Sequence, residues 1–303
     1  MPNVELVLKK DVTPFRKIAI GTWQDSYDPS VYGTLDVRME KALQYIEAFR
    51  VETGKRLTVT HLVTKAVATA LAETPDANSM LRWNKIYLRK QVDLGLQVVM
   101  TDEATGKVDL SAAKIENVDK KSLKEIIEEL EAKARRIRER KDPALEATRQ
   151  SMGMVPFMAM NRFMKLLSFL LYDLNLDLRA LGLPRDPFGS AFVTSIGSLG
   201  LSVAYVPLVP YAHVPILVAP GAVLDVPVVQ DGKVIPGKLM HISATFDHRI
   251  IDGFHAARLA NTMRAMLEDP FKRFDTLKEE SLSLIHISEP TRLRRISYAV
   301  FCL

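Results

Sequence analysis

The sequence predicts an α/β domain, and three observations carry that prediction. Ile242, Ala244 and Phe246 alternate with Ser243, Thr245 and Asp247, and this strand-like run leads into apolar residues at helical spacing from Phe254 onward. Asp93 to Met100 carries leucine and valine on both faces, as a strand covered on two sides does. Two further stretches, Thr58 to Pro75 and Lys120 to Lys141, have helical periodicity. With 303 residues, 48% hydrophobic and 25% charged, the chain has the composition of a globular core, in one large domain or two small ones.

Taken in order, Thr13 to Trp23 opens the domain with an Arg16-Lys17 pair. Tyr32 to Met39 alternates like a strand, and Ala42 to Glu52 reads as a helix closed by Gly54. The helix from Thr58 runs through His61, Val63, Val67, Ala70 and Leu71; His61, near its start, reads as structural. Lys120 to Lys141 places Leu123, Ile126, Ile127, Leu130, Ala134 and Ile137 on one face, with Glu129 four residues before Lys133: an amphipathic surface helix. Met152 to Leu176 is dense in Met, Leu and Phe, but Arg162, Lys165 and Asp173 interrupt it, at a cost that argues against a membrane span. A helix packed at a subunit interface or over a substrate channel is the expectation there, with membrane-surface contact as the alternative. Val228 to Ile235 predicts a hairpin in which Asp231-Gly232 supplies the positive φ angles of a type I′ turn.

The chemistry is concentrated in Asp247-His-Arg-Ile-Ile-Asp-Gly253. His248 leaves a strand end and Asp252 follows four residues later, so a base and an orienting carboxylate share one strand-to-helix turn. A histidine that merely bonds at the helix start is the structural alternative. The stretch resembles the His-x-x-x-Asp-Gly signature of the catalytic domain of the 2-oxo acid dehydrogenase acyltransferases, which share a fold with chloramphenicol acetyltransferase; Asp247, His248, Arg249, Asp252 and Gly253 all fit it.

The resemblance implies a two-layer sandwich of mixed sheet and helices that assembles as a trimer, with each active site between subunits. It makes His248 the base that takes a thiol proton, and gives Asp252 the task of holding the site through Arg16, for which a solvated surface arginine is the alternative reading. Gly189 to Gly200 is similar to the family strand whose hydroxyl donates to the oxyanion; aligned on Gly197, Thr194 takes that place, with Ser195 as the fallback and a strand threonine bonding its own backbone as the alternative. The chain also departs from the family. Gly106 to Ile115 lacks the channel proline, the Asn-Pro-Pro-Gln segment is replaced by Val206 to Gly221 with His213 near the glutamine, and an apolar insertion stands at about 152–188.

Several classes are excluded. A net charge of +5 without a basic, aromatic-interleaved stripe argues against nucleic acid. No metal-ligand set is spaced for binding, and neither Gly-x-Gly-x-x-Gly nor a P-loop is present, so metal, dinucleotide and ATP have no textual support. Met1-Pro-Asn-Val-Glu-Leu lacks the features of a signal peptide, and a cytoplasmic protein is expected. Ser283 to Leu303 is similar to a translated sequencing-adapter read-through seen on unrelated chains. Residues 281–303 are therefore expected to be a non-native tail on an acyltransferase domain of 1–280, with the natural C-terminus missing. That tail holds the sole cysteine, Cys302, which leaves no thiol for catalysis or disulfides.

The function expected from the resemblance is acyl transfer between coenzyme A, bound as the acyl-coenzyme A substrate, and a thiol such as dihydrolipoamide. The chain has no lipoyl attachment site of its own; a homotrimer is expected, with a larger cage and a lipoyl-bearing protein as further candidate partners. The alternatives are a free-standing coenzyme A-dependent acyltransferase for another small acceptor and a catalytically silent trimeric scaffold.

Overall fold

A computed structural model describes residues 2–10, 28–101, 108–143, 145–148 and 155–277. Arg16 and the 281–303 tail lie outside the described residues. The main sheet has six strands, β2 (Ser30–Arg38), β5 (Leu94–Thr101), β6 (Val108–Ile115), β7 (Ala191–Val193), β8 (Ile216–Gln230) and β9 (Lys233–Asp247), in the order β2-β9-β8-β7-β5-β6. It is mixed: β8, β7 and β5 run parallel, and the remaining pairs are antiparallel. The C-terminal end of β9 consequently lies at the same edge of the sheet as the N-terminal ends of β8, β7 and β5. A second, three-stranded sheet joins β1 (Leu6–Leu8), β3 (Ser79–Arg82) and β4 (Lys85–Arg89) in the order β1-β4-β3.

Four helices make the second layer: α1 (Glu40–Thr53), α2 (Val59–Glu73), α3 (Leu123–Arg138) and α5 (Gly253–Glu268), with the short α4 (Met160–Ser168) elsewhere. Their apolar faces, including Tyr45, Phe49, Leu62, Leu71, Ile127 and Leu267, form one core with the sheet residues Val37, Leu94, Leu96, Ile115 and Met240. Helix ends follow the local chemistry. Ser122 and Glu125 cap α3 reciprocally, and Gly54 at φ 67° turns the chain out of α1 with its amide on the Arg50 carbonyl. At the start of α2 the Thr58 amide donates to His61 Nδ1 at 3.1 Å, so His61 is the structural residue that its position suggested.

The opposite face of β7 and β8 is covered by a strap, residues 196–208, through Ile196, Ala204, Val206 and Leu208. The strap crosses so closely that a Cβ on Gly221 would stand 2.0 Å from the Ser202 carbonyl oxygen, and one on Gly197 would stand 2.4 Å from the Gly221 oxygen. Glycine is required at both positions by this approach.

The 228–235 hairpin forms as expected, with Asp231 at φ 52° and Gly232 at φ 74°. A second two-residue turn of the same kind is absent from the sequence reading: Trp83 and Asn84, at φ 52° and 57°, join β3 to β4. Tryptophan is a poor predictor of positive φ, which hid the turn. In the apolar segment the chain forms α4, a π turn at Phe169–Asp173 and a 3-10 turn at Arg179–Leu181. Among the described residues, no helix is long and apolar enough to cross a membrane.

Candidate active site

Strand β9 delivers Asp247 to the edge of the sheet, and the turn that follows is set by that residue. Its amide donates to the Pro215 carbonyl at 2.9 Å, and its carbonyl accepts from the Ile250 and Ile251 amides at 3.0 and 2.8 Å. Its carboxylate, buried, takes the Arg249 guanidinium in a two-pronged pair, with Nε to Oδ1 at 2.9 Å and Nη2 to Oδ2 at 2.6 Å. Charge-assisted bonds of this geometry are the strong ones. His248 is thereby held half-buried at the tip, with its amide on the Pro29 carbonyl at 3.0 Å.

The His248 ring is also fixed. Its Nδ1 lies 3.0 Å from the Ile251 carbonyl oxygen. A carbonyl only accepts, so Nδ1 carries a proton and donates it there. The turn thus fixes the ring so that Nε2 is the nitrogen through which this side chain can exchange a proton with a substrate.

Asp252 is the N-cap of α5, accepting from the His255 amide at 3.0 Å. The same Oδ1 is 2.7 Å from His255 Nδ1, which donates to it, and His255 Nε2 stands 3.8 Å from Asp76 Oδ2. His255 is thereby tied to the carboxylate of the turn. The expected partnership of Asp252 with Arg16 lies outside the described residues.

Thr194 follows β7 and is buried, its amide donating to the Val218 carbonyl at 3.0 Å. Its hydroxyl is bonded to the Gln97 side-chain oxygen on β5. Gln97 went unnoticed in the sequence because it looks like any polar residue in a strand. Ser195, the fallback donor, is half-buried, and its carbonyl accepts from the Ser198 hydroxyl at 2.8 Å.

Sheet register separates Thr194 from His248. Val193 opposes Val218 and Val218 opposes Ala244, so Thr194 stands level with Ser243, two strands across and five residues short of His248 (248 − 243). At roughly 3.3 Å per residue and about 4.8 Å per strand, the two Cα atoms are about 19 Å apart on one chain. His248 and Asp252 are brought into one turn; Thr194 is not brought to them.

His213 lies at the same edge, in the loop before β8. Its Nδ1 donates to the Leu81 carbonyl at 3.3 Å, its Nε2 accepts from Ser168 at 3.1 Å, and its ring stacks on Tyr172 with centroids 4.8 Å apart. Burial holds this imidazole below its ordinary pKa, and the Arg89 and Arg249 charges add to the effect against Asp173. His213 is a satisfied histidine, with both ring nitrogens bonded. No cluster of three or more metal-ligating side chains occurs among the described residues.

The sequence profile of the family described as 2-oxoacid dehydrogenases acyltransferase (catalytic domain) matches residues 8–152 and 184–274. The chain is 25% identical over 268 residues to the dihydrolipoyllysine-residue acetyltransferase component of the acetoin cleaving system of Bacillus subtilis, covering 86% of this chain and 55% of the relative. It is 29% identical over 234 residues to the acetyltransferase component of the Azotobacter vinelandii pyruvate dehydrogenase complex, covering 74% of this chain and 29% of the relative. The chain therefore spans about half or less of the length of these relatives.

Among solved structures, a probable dihydrolipoamide acetyltransferase from Listeria monocytogenes superposes with a TM-score of 0.59 at 20% identity, covering 89% of this chain and 98% of that one. The dihydrolipoamide acetyltransferase of Azotobacter vinelandii, studied for the role of a serine, a histidine and an asparagine in its catalytic mechanism, gives 0.59 at 22%, covering 87% and 93%. The cubic core of the pyruvate dehydrogenase multienzyme complex gives 0.59 at 22%, covering 88% and 93%. These likenesses fix the fold as that of the acyltransferase cores, and the profile match over both halves of the domain, including the His248 turn, makes the chain a member of the 2-oxoacid dehydrogenases acyltransferase (catalytic domain) family.

Proposed function

We propose that the chain is a dihydrolipoamide acyltransferase domain that moves an acyl group between coenzyme A and a dihydrolipoyl thiol. The observation that carries this reading is the His248 ring, fixed at the tip of the signature turn by its Nδ1 bond to the Ile251 carbonyl. In the reaction, Nε2 takes the proton of the attacking thiol, and the sulfur adds to the carbonyl carbon of the acyl thioester. The tetrahedral oxyanion then collapses, the old carbon–sulfur bond breaks, and the departing thiolate recovers the proton from Nε2. A positioned base is worth roughly 10²–10⁴-fold. Coenzyme A is here a substrate, present in one direction as the acyl donor and in the other as the acceptor. The lipoyl group belongs to a separate protein or segment.

Thr194 is the oxyanion donor in this reading, worth about 2.7–4 kcal/mol for a preorganised group. At about 19 Å by strand spacing, Thr194 and His248 of one chain are too far apart to serve one thioester. The separation supports a site built between two chains, His248 from one and Thr194 from the next, and with it a cyclic homotrimer that can assemble further into a cage. Gln97 fits the same role. Turning its amide over presents NH₂ to Thr194 Oγ1, so that the threonine accepts from Gln97 and its own proton is released toward the oxyanion. The Asp247–Arg249 pair and the Asp252 cap then hold the His248 turn while the substrates exchange. A cytoplasmic location and a non-native tail at 281–303 belong to the same reading.

The test uses protein cut back before Ser283, with acetyl-coenzyme A and dihydrolipoamide, following release of coenzyme A. Turnover that falls at least a hundredfold in His248→Ala is expected, within the range of a positioned base at roughly 10²–10⁴-fold. Absence of turnover in both proteins, with succinyl- and branched-chain acyl-coenzyme A also tried, overturns the dihydrolipoamide reading.

A further inference from the structure

We propose that segment 155–183, seated through His213, is a prop that holds the His248 turn in register, which makes His213 a positioning residue for acyl transfer. The inference rests on the acyltransferase reading for its kinetic consequence but on geometry alone for the mechanical one. The family profile passes over 153–183, so the role is not inherited from the family pattern.

The segment is firmly anchored. Leu171 and Tyr172 make a small second core with Val4 and Met80. Asn3 Nδ2 donates to the Leu171 carbonyl at 2.9 Å, and Asn175 bonds Val4 in both directions, accepting from its amide at 2.7 Å and donating to its carbonyl at 2.9 Å. Trp83 Nε1 donates to the Asp173 carbonyl at 3.1 Å. Just beyond the segment, Asp186 closes a buried ion pair with Arg89 at 2.6 Å.

From this base, contacts run to the catalytic turn without a break. The Tyr172 ring stacks on His213, and Ser168 and the Leu81 carbonyl hold the two nitrogens of the same ring. His213 has φ 52°, a left-handed conformation that costs a non-glycine residue roughly 1–2 kcal/mol and persists only where its surroundings impose it. Two residues later the Pro215 carbonyl accepts the Asp247 amide, and Asp247 organises the turn that carries His248. Without the clamp, His213 is free to leave the left-handed region. The Pro215 carbonyl then shifts and the turn follows it. A displacement near 1 Å at a reacting group costs on the order of 10²-fold in rate.

The experiment compares His213→Ala, Ser168→Ala, Tyr172→Ala and Tyr172→Phe with the parent. It reads steady-state kinetics with acetyl-coenzyme A and dihydrolipoamide, thermal midpoints, and hydrogen exchange at the Ile250 and Ile251 amides. Expected are a kcat lower by roughly 10–100-fold in His213→Ala and Tyr172→Ala, an almost unchanged KM for acetyl-coenzyme A, faster exchange at both amides, and near-parental behaviour in Tyr172→Phe, which keeps the stacked ring. A lowered thermal midpoint with kcat and exchange both unchanged overturns the proposal, since that is what a purely structural contact gives. Should His213→Ala fail to fold, Ser168→Ala and Tyr172→Ala answer the same question. If the parent itself transfers no acyl group, the functional reading fails alone; exchange at Ile250 and Ile251 then decides the coupling, and unchanged exchange refutes it.

Discussion

A mixture of two inactive variants should recover activity. His248→Ala removes the base, a loss of roughly 10²–10⁴-fold, and Thr194→Ala removes the oxyanion donor, a loss of roughly 10²–10³-fold. Each homotrimer is then near or below about one per cent of the parent rate. The sheet register puts the two residues on one chain two strands and five residues apart (248 − 243), and the proposed site takes them from different chains. In trimers assorted at random from equal amounts of the two variants, the chains flanking a site are drawn independently. About one quarter of sites then join an intact His248 to an intact Thr194. Co-expression with two distinguishable tags, isolation of mixed trimers by tandem affinity and the coenzyme A release assay provide the measurement. Activity near a quarter of the parent or above supports the shared site, because doubly tagged trimers are enriched in mixed interfaces. Mixed trimers that stay at the level of either variant refute it, since a site contained within one chain always lacks one of the two groups.

Two further outcomes follow from individual contacts. Gln97→Leu takes away the partner of the Thr194 hydroxyl while keeping the volume; loss of a neutral bond of about 1–1.5 kcal/mol corresponds to a fall in kcat of about tenfold with KM little changed, and an unaltered kcat removes Gln97 from the mechanism. His61 supplies a pH dependence of stability: burial, with the Arg56 charge, lowers its pKa to about 4, and its Nδ1 already accepts the Thr58 amide. The unfolded chain binds the proton from about pH 6.5 downward and the folded chain resists it to about pH 4, so stability is complete above pH 6.5 and is lost as pH falls through that window. The shift amounts to about 3 kcal/mol. Urea unfolding at pH 7 and pH 5 should show the loss in the parent, and a His61→Asn protein that shows the same slope would remove His61 as its source.

Much of the site was readable because it is made locally. Asp247, His248, Arg249, Ile251, Asp252 and His255 bond within a span of nine residues (255 − 247 + 1), and an alternating strand followed by a glycine and a helical pattern places them in one turn. The type I′ hairpin at Asp231-Gly232 was readable for the same reason, since its signal sits in two adjacent residues. The hairpin at Trp83-Asn84 has the same backbone but not the residue type, and it escaped. Other contacts join residues remote in sequence: Thr194 to Gln97, His213 to Leu81, and Asp247 to Pro215. Periodicity and turn chemistry carry no information about which strands become neighbours, so these partners became visible only with the sheet order.

The same division bears on how this domain differs from its relatives. The turn from Asp247 to Gly253 keeps the family signature intact. The loop before β8 and segment 155–183 both depart from the family pattern, and in the fold they touch: His213, near the place of the family's glutamine, is the residue that Ser168 and Tyr172 hold. A histidine at φ 52° with both ring nitrogens bonded is poorly suited to reach a substrate, but well suited to fix a loop. The two departures are therefore better understood as one change than as two. In the proposed reading the loop is a rigid support behind His248, and what it supplies to the turn is the carbonyl of Pro215, held at a constant place on the Asp247 amide.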